Sequence, residues 1–295
     1  MNPKEVKVKG KWFDRIVIIN LENTDYADAI VDPYLAQLAR KGTLLSKYSA
    51  ITHPSQPNYI AQIYGDVAGV TDDSLYNVPG KSLADLLEAK GIPWKSYQEQ
   101  YPEGAACYAE ERTADALYQR KHNPWISMNN VRKNPEWCAR IVPATRLDQD
   151  IDTGDVPQVV YYTPDMNNDG HDTSVPYMSA WLESFLTPKL TLPAFTRRTL
   201  IVVTYDEREV YAGWNHVYTV LLGPAAKALA GYEDPNPYDH YSLLRTIEEN
   251  WSLGTLGRGD AKATPFILDH LPPNAIARGA KSQGDSANAW EWYGR

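Results

Sequence analysis

The run Arg15-Ile16-Val17-Ile18-Ile19-Asn20-Leu21 is followed without a break by Glu22-Asn23. Its apolar side chains are continuous rather than alternating, and most are β-branched. That is the pattern of a strand covered on both faces, as in a parallel sheet packed between helices. Helix signals come next. Asp32 can cap, Pro33 fits a first turn, Leu35 and Leu38 share a face and Gly42 ends the segment. A second helix is expected from Ser82 through Leu83, Leu86 and Leu87 to a stop at Gly91, then a short strand over 94–97. The buried-strand pattern returns at 159–163, 200–205 and 217–222, with an aromatic helix around Tyr177, Trp181 and Phe185 between the first two. A last helix is expected to begin near Asp239, to carry Leu243, Leu244, Ile247 and Trp251 on one stripe, and to close at Gly254. Strands alternating with helices predict an α/β chain with a parallel or mostly parallel sheet.

Composition sets the outer bounds. The 295 residues are 43% hydrophobic and 22% charged, with 9 Trp and 20 Tyr, enough for a real core and too apolar for general disorder. Against 37 acidic residues stand 29 basic ones, a net charge of −8 without a long Lys/Arg tract. Nucleic acid and anionic membrane surfaces are therefore poor main partners. No apolar run is long enough to span a bilayer. The opening MNPKEVKVKGKWFDR has no apolar stretch of the kind a secretory leader carries. A mature exported form would read the same, so the compartment stays open. Cys107 and Cys138 are too few for a disulfide scaffold and lack zinc-finger spacing; one bridge and two free thiols are both compatible with the sequence. No repeat, linker or composition break divides the chain, so one domain over 1–295 is expected. Within it, 101–150 reads as an irregular lid or rim and 271–295 as a peripheral C-terminal arm.

In open α/β sheets, ligands bind beyond the carboxyl ends of the strands. Glu22-Asn23 follows the first strand, Asp206-Glu207 follows 200–205, and Asp165 through Asp169, His171 and Asp172 follow 159–163. Acidic groups gathered at one edge repel each other unless a cation neutralises them. Ser55 lies in Thr52-His53-Pro54-Ser55-Gln56-Pro57-Asn58-Tyr59, with Pro57 suited to the first turn of a helix running to Gly65. Free N–H groups and the positive end of the dipole there favour a phosphate and a serine alkoxide. No G-x-S-x-G elbow surrounds Ser55, which disfavours an acyl-transfer triad. His53, His171 and His240 are three imidazoles expected near the same edge.

Taken together, Leu21-Glu22-Asn23-Thr24, Pro54-Ser55-Gln56-Pro57-Asn58-Tyr59, Asn168-Asp169-Gly170-His171-Asp172, Thr204-Tyr205-Asp206-Glu207 and Asp239-His240-Tyr241-Ser242-Leu243-Leu244-Arg245-Thr246 resemble the phosphoesterase family. That family holds acid phosphatases and bacterial phospholipases C within the alkaline-phosphatase superfamily. Arg120-Lys121-His122-Asn123-Pro124-Trp125 is similar to a family segment as well. The resemblance implies an alkaline-phosphatase-like three-layer α/β/α sandwich and metal-dependent phosphate-ester hydrolysis through a phosphoserine. It makes Ser55 the nucleophile and Glu22, Asn23, Asp206 and Glu207 the metal ligands. Asn77 stands at the offset of an asparagine that contacts phosphoryl oxygens in related enzymes. His171, with Asp169, and His240 match active-site positions as phosphate contacts or proton donors. Two-zinc members place Asp-His where this chain has Asp206-Glu207, so one divalent ion, Mg²⁺, Mn²⁺ or Ca²⁺, suits the oxygen-rich set better than a zinc pair.

The expected substrate is a small phosphorylated molecule and the expected enzyme a phosphomonoesterase. A phosphodiesterase or phospholipase C with the same machinery is the nearest alternative; another is a family member recruited to a non-phosphatase reaction or binding role. Trp125, Trp137 and Tyr118 are expected at the rim, where they would roof the pocket or line a groove.

Overall fold

The computed structural model describes residues 7–278 except 106 and 273. Nine strands form one sheet in the order β4-β3-β5-β1-β6-β7-β2-β8-β9. They are β1 (Arg15–Leu21), β2 (Thr43–Ser49), β3 (Trp94–Gln98), β4 (Ile141–Pro143), β5 (Val159–Thr163), β6 (Thr199–Tyr205), β7 (Thr219–Leu222), β8 (Tyr232–Asp239) and β9 (Ile276–Ala277). Every residue of β1, β5 and β6 is buried, as their unbroken apolar pattern requires. The sheet is mostly parallel. The exceptions are β7, antiparallel to both β6 and β2, and β9, antiparallel to β8.

The helices are α1 (Tyr26–Ala29), α2 (Pro33–Lys41), α3 (Ser55–Tyr64), α4 (Leu83–Lys90), α5 (Pro124–Ser127), α6 (Asn129–Arg132), α7 (Pro135–Cys138), α8 (Arg146–Thr153), α9 (Val175–Leu190), α10 (Pro193–Thr196) and α11 (His240–Asn250). They pack in two sets. In one, α3 packs against α4, α5 and α11; in the other, α9 packs against α2 and α10, and α10 against α8. The punctuation read from the sequence operates as expected at two of them. Asp32 accepts from the backbone N–H of Tyr34 and Leu35 ahead of α2, and Ser82 and Asp85 form a reciprocal capping box ahead of α4.

Several expectations are corrected. The last helix ends at Asn250, not Gly254, because Trp251 and Ser252 leave helical geometry, Ser252 with φ +52°. The segment 101–150 is not one irregular lid. It contains α5, α6, α7, β4, the start of α8 and a 3₁₀ turn at Arg120–His122. Trp125 and Tyr118 are not rim residues: both are buried, Trp125 stacked on Trp94 with ring centroids 4.3 Å apart, Tyr118 packed edge-on against Tyr101 and Tyr108. Trp137 is half-buried and packs against the core. Cys107 and Cys138 are disulfide-bonded, with Cα atoms 5.4 Å apart. The described part of the expected C-terminal arm contributes β9 to the sheet edge; Trp290 lies outside the described residues. Among the described residues, no helix is long and apolar enough to cross a membrane.

Strands β2 and β8 were not expected. In β2 the burial breaks at Ser46 and Lys47, where the register with β8 shifts. In β8, Pro235 and Pro237 disguise a strand. Both prolines lie beyond the short pairing of Tyr232 and Glu233 with β9, so their missing N–H groups cost no ladder bond to that neighbour.

Candidate active site

Register assembles the site. Leu21 of β1 lies opposite Tyr205 of β6, so the next residues, Glu22 and Asp206, emerge side by side. The Asp206 N–H donates to Leu21 O at 3.1 Å, and the Glu22 N–H donates to Asp169 O at 2.9 Å. The loop after β5, on the other side of β1, is thereby stitched to the same edge. It is wound tightly by Asp165, whose Oδ1 accepts from the N–H groups of Asn167 and Asn168.

Ser55 arrives from β2. Asn58, fully buried, holds the turn ahead of it: Oδ1 accepts from Ile51 and Thr52 N–H at 2.9 and 3.0 Å, and Nδ2 donates to Thr52 and Pro54 O at 2.8 and 3.1 Å. Ser55 is the first residue of α3, with Pro57 in its first turn as expected. Its buried Oγ lies 3.1 Å from Glu22 Oε2 and 3.1 Å from Glu207 Oε1. The neighbouring Gln56 N–H donates to Asp73 Oδ1 at 3.0 Å.

Glu22, Asp169, Asp206 and Glu207 are all buried. Burial raises the Glu22 carboxyl above its ordinary range, and burial together with the Glu22 charge does the same to Asp169 and Asp206. Glu207 is pushed up to about 8 by burial and Glu22. Among the described residues, both oxygens of Asp206 and one of Asp169 have no hydrogen-bond partner. Buried acceptors left unpaired in mutual repulsion fit a cation as the absent partner. Glu22, His122 and Asp169 each offer a ligand atom, all within 4.8 Å of one another. His122 Nε2 is 3.2 Å from Glu22 Oε1 and its Nδ1 is 3.6 Å from Asp169 Oδ2. Burial and the Lys121 charge drive its pKa well down, leaving it neutral and able to ligate.

The expected residues divide. Ser55, Glu22, Asp206, Glu207 and Asp169 meet at one place. Asn23 follows Glu22 and is half-buried. His171 adjoins Asp169: its N–H donates to Asp169 Oδ1 at 2.8 Å, its ring is partly exposed, and it lies 6.0 Å, centroid to centroid, from His122. His240 bonds the backbone of Asp206 rather than a carboxylate. It is fully buried, Nε2 donating to Asp206 O at 2.6 Å and Nδ1 accepting from Tyr48 OH at 3.1 Å. Both of its nitrogens are engaged, and burial lowers its pKa to about 4. Asn77 is exposed, with Oδ1 accepting from Arg120 at 2.7 Å, and meets none of these groups. The residue that does reach toward them is Lys121. Burial opposes its charge, but Glu22, Asp73 and Asp206 more than offset that, and its Nζ pairs with Asp73 at 3.0 Å.

Sequence reasoning also missed Tyr59, whose hydroxyl donates to Glu22 Oε1, and the roles of His53 and His122. His53 Nδ1 hydrogen-bonds Glu207 Oε2. Their signals were present in the two quoted segments at 52–59 and 120–125, but nothing in spacing alone says which side chain turns inward.

Comparison with known proteins agrees with this architecture. Residues 25–254 match the Phosphoesterase family. The chain is 40% identical over 262 residues to a probable acid phosphatase of Kluyveromyces lactis, covering 87% of this chain and 62% of that protein. It is 39% identical over 262 residues to a phosphate-repressible acid phosphatase of Penicillium chrysogenum, covering 87% and 63%. The chain thus spans less than two thirds of the length of these relatives. Among solved structures, a protein of the alkaline phosphatase superfamily from Vibrio parahaemolyticus is similar in fold, with a TM-score of 0.55 at 14% identity over 90% of this chain and 72% of that one.

Proposed function

The chain belongs to the phosphoesterase family, and from that premise we propose that it is an acid-phosphatase-like phosphomonoesterase acting on small phosphorylated substrates through a phosphoserine on Ser55. The observation that carries this reading is the buried Ser55 hydroxyl, 3.1 Å from carboxylates that come from two different strand ends. The acid phosphatases among its relatives support the monoester assignment. One sheet threaded from β1 to β9 supports a single phosphoesterase domain, and the two helix sets support a three-layer sandwich. The Cys107–Cys138 disulfide favours an oxidising compartment.

The chemistry follows from the residues. Ser55 Oγ loses its proton to Glu207 or Glu22 and attacks phosphorus in line, and the bond to the ester oxygen breaks. The His171 imidazole gives a proton to the departing alkoxide. The same imidazole then takes one from the water that attacks the phosphoserine; the Ser55–phosphorus bond breaks, phosphate leaves, and the carboxyl that took the serine proton returns it to Oγ. Tyr59 stays protonated, because burial and the Glu22 charge raise its pKa, and it steadies Glu22 throughout. A divalent ion, Mg²⁺, Mn²⁺ or Ca²⁺ in preference to a zinc pair, would be held by Glu22, Asp206 and Glu207, with Asn23, His122 and Asp169 within the same edge. Bound there, it supplies positive charge to the carboxylates, the phosphoryl oxygens and the serine alkoxide.

Ser55→Ala is expected to lower phosphate release from p-nitrophenyl phosphate by at least about a thousandfold while calorimetry still detects divalent-cation binding. Unchanged turnover in that variant would remove the covalent route. Chelation is expected to abolish turnover and one divalent ion to restore it; indifference to chelation would reassign the carboxylate cluster.

A further inference from the structure

The loop that follows Glu207 holds three large apolar side chains in solvent: Val210 is 48%, Tyr211 59% and Trp214 53% exposed. Such exposure on a floppy loop would mean little, but this loop is pinned. The Arg208 guanidinium donates to both Asp25 carboxylate oxygens at 3.0 and 2.9 Å and to Ala212 and Trp214 O at 3.1 Å. The Val210 N–H donates to Asp25 Oδ1 at 3.1 Å and the Arg208 N–H to Asn215 Oδ1 at 3.0 Å. Asn215 Nδ2 in turn donates to Thr52 O at 2.8 Å, tying the loop to the turn that delivers Ser55. The positive charge nearest in sequence to the acidic pair is therefore engaged in shaping the loop.

Tyr211 is coupled to the site through a short chain of contacts. Its ring stacks on His53 with centroids 4.1 Å apart and planes 18° from parallel. His53 bonds Glu207, and Glu207 bonds Ser55. The Tyr211 phenol is raised by partial burial and by the charges of Glu207 and Asp73, which places it in the field of the same cluster. On the same loop, Trp214 stacks on His216 at 4.0 Å and 8°. Both aromatic rings thus have one face seated on an imidazole while more than half of each residue stays open to solvent. A flat, rigid, one-face-open ring beside a reacting group is a stacking platform. Val210 adds exposed aliphatic surface to the same pinned loop.

We propose that Tyr211, on this pinned loop with Val210 and Trp214, seats the leaving group, and that the seat takes planar aryl alcohols, making aryl phosphate monoesters the favoured substrate class. The proposal rests on the phosphomonoesterase reading above and specifies its substrate. The acidic side chains around Tyr211 add a second selection, against leaving groups that carry their own negative charge.

The test compares phenyl phosphate, glycerol 1-phosphate and dodecyl phosphate in the full chain, following inorganic phosphate. Tyr211→Ala is expected to lower kcat/KM for phenyl phosphate roughly three- to tenfold more than for glycerol 1-phosphate, with the difference carried by KM. Tyr211→Phe is expected to keep the wild-type ratio. Equal losses on both esters, or an unmoved ratio, would overturn the seat while leaving the phosphomonoesterase reading intact. A larger effect on dodecyl than on phenyl phosphate would overturn it in favour of an alkyl chain. A wild-type chain that releases phosphate from none of the three would overturn the phosphomonoesterase reading and the seat with it.

Discussion

A hydroxyl has one proton, and Ser55 Oγ stands 3.1 Å from a carboxylate oxygen on each of Glu22 and Glu207. Only one can accept that proton, so the second oxygen must be protonated or share a cation, and the raised pKa values of both groups say the same thing energetically. The two histidines then take different roles. A leaving-group acid matters most when the departing alcohol is a poor leaving group. His171→Gln is therefore expected to reduce kcat for glycerol 1-phosphate at least about tenfold more than for p-nitrophenyl phosphate, whose phenolate departs without help. His240→Gln is expected to reduce both alike, since His240 acts by fixing the Asp206 backbone. Paired kcat measurements on the two esters distinguish these outcomes, and a leaving-group dependence in His240→Gln but not in His171→Gln would reverse the assignment.

Helix α3 and the turn ahead of it carry Ser55, and the turn depends on Asn58. Its side chain makes four hydrogen bonds to the backbone of residues 51, 52 and 54. Asn58→Ala leaves those buried groups unpaired and is expected to cost about 2–4 kcal/mol in denaturant unfolding. It should also lower kcat as Ser55 loses its fixed position; a variant with wild-type stability would show that the turn holds by itself. Elements of this kind differ in how openly the sequence announces them. Strands β1, β5 and β6 were legible because burial on both faces demands unbroken apolar runs, and the carboxylates after them were legible because site residues follow such strands. Strands β2 and β8 were hidden, the first by a half-exposed Ser46-Lys47, the second by two prolines tolerated beside an almost unpaired flank. His122 was hidden for another reason. It sits in a three-residue 3₁₀ turn with no periodicity, and only tertiary packing turns its ring toward Glu22 and away from solvent. Asn77 stands apart from the carboxylates because an offset in sequence carries no direction; its side chain is bonded to Arg120.

Across the whole molecule, parallel strands carry their carboxyl ends to one edge, and the centre of the sheet, β5-β1-β6, supplies the acidic groups that meet there. A buried carboxyl pair elsewhere gives the fold a separate pH dependence. Burial and Asp260 push Glu248 from its ordinary 4.5 up to about 8. A carboxyl raised on folding contributes stability that is complete below pH 4.5 and is lost as pH rises through 8. Glu248→Gln is expected to flatten that decline and to raise Tm at pH 8 by a few degrees relative to wild type, read by calorimetry at pH 5 and 8; parallel wild-type and variant profiles would show that Glu248 does not titrate in this range. The central claim concerns Ser55, and the stereochemical course at phosphorus tests it most directly, whether or not an intermediate accumulates. With a phosphate monoester chiral in its oxygen isotopes and an added alcohol as acceptor, two successive in-line displacements through Ser55 predict net retention of configuration in the phosphoryl group transferred to that alcohol. Inversion would mean that the acceptor attacks the ester directly, and would contradict the account.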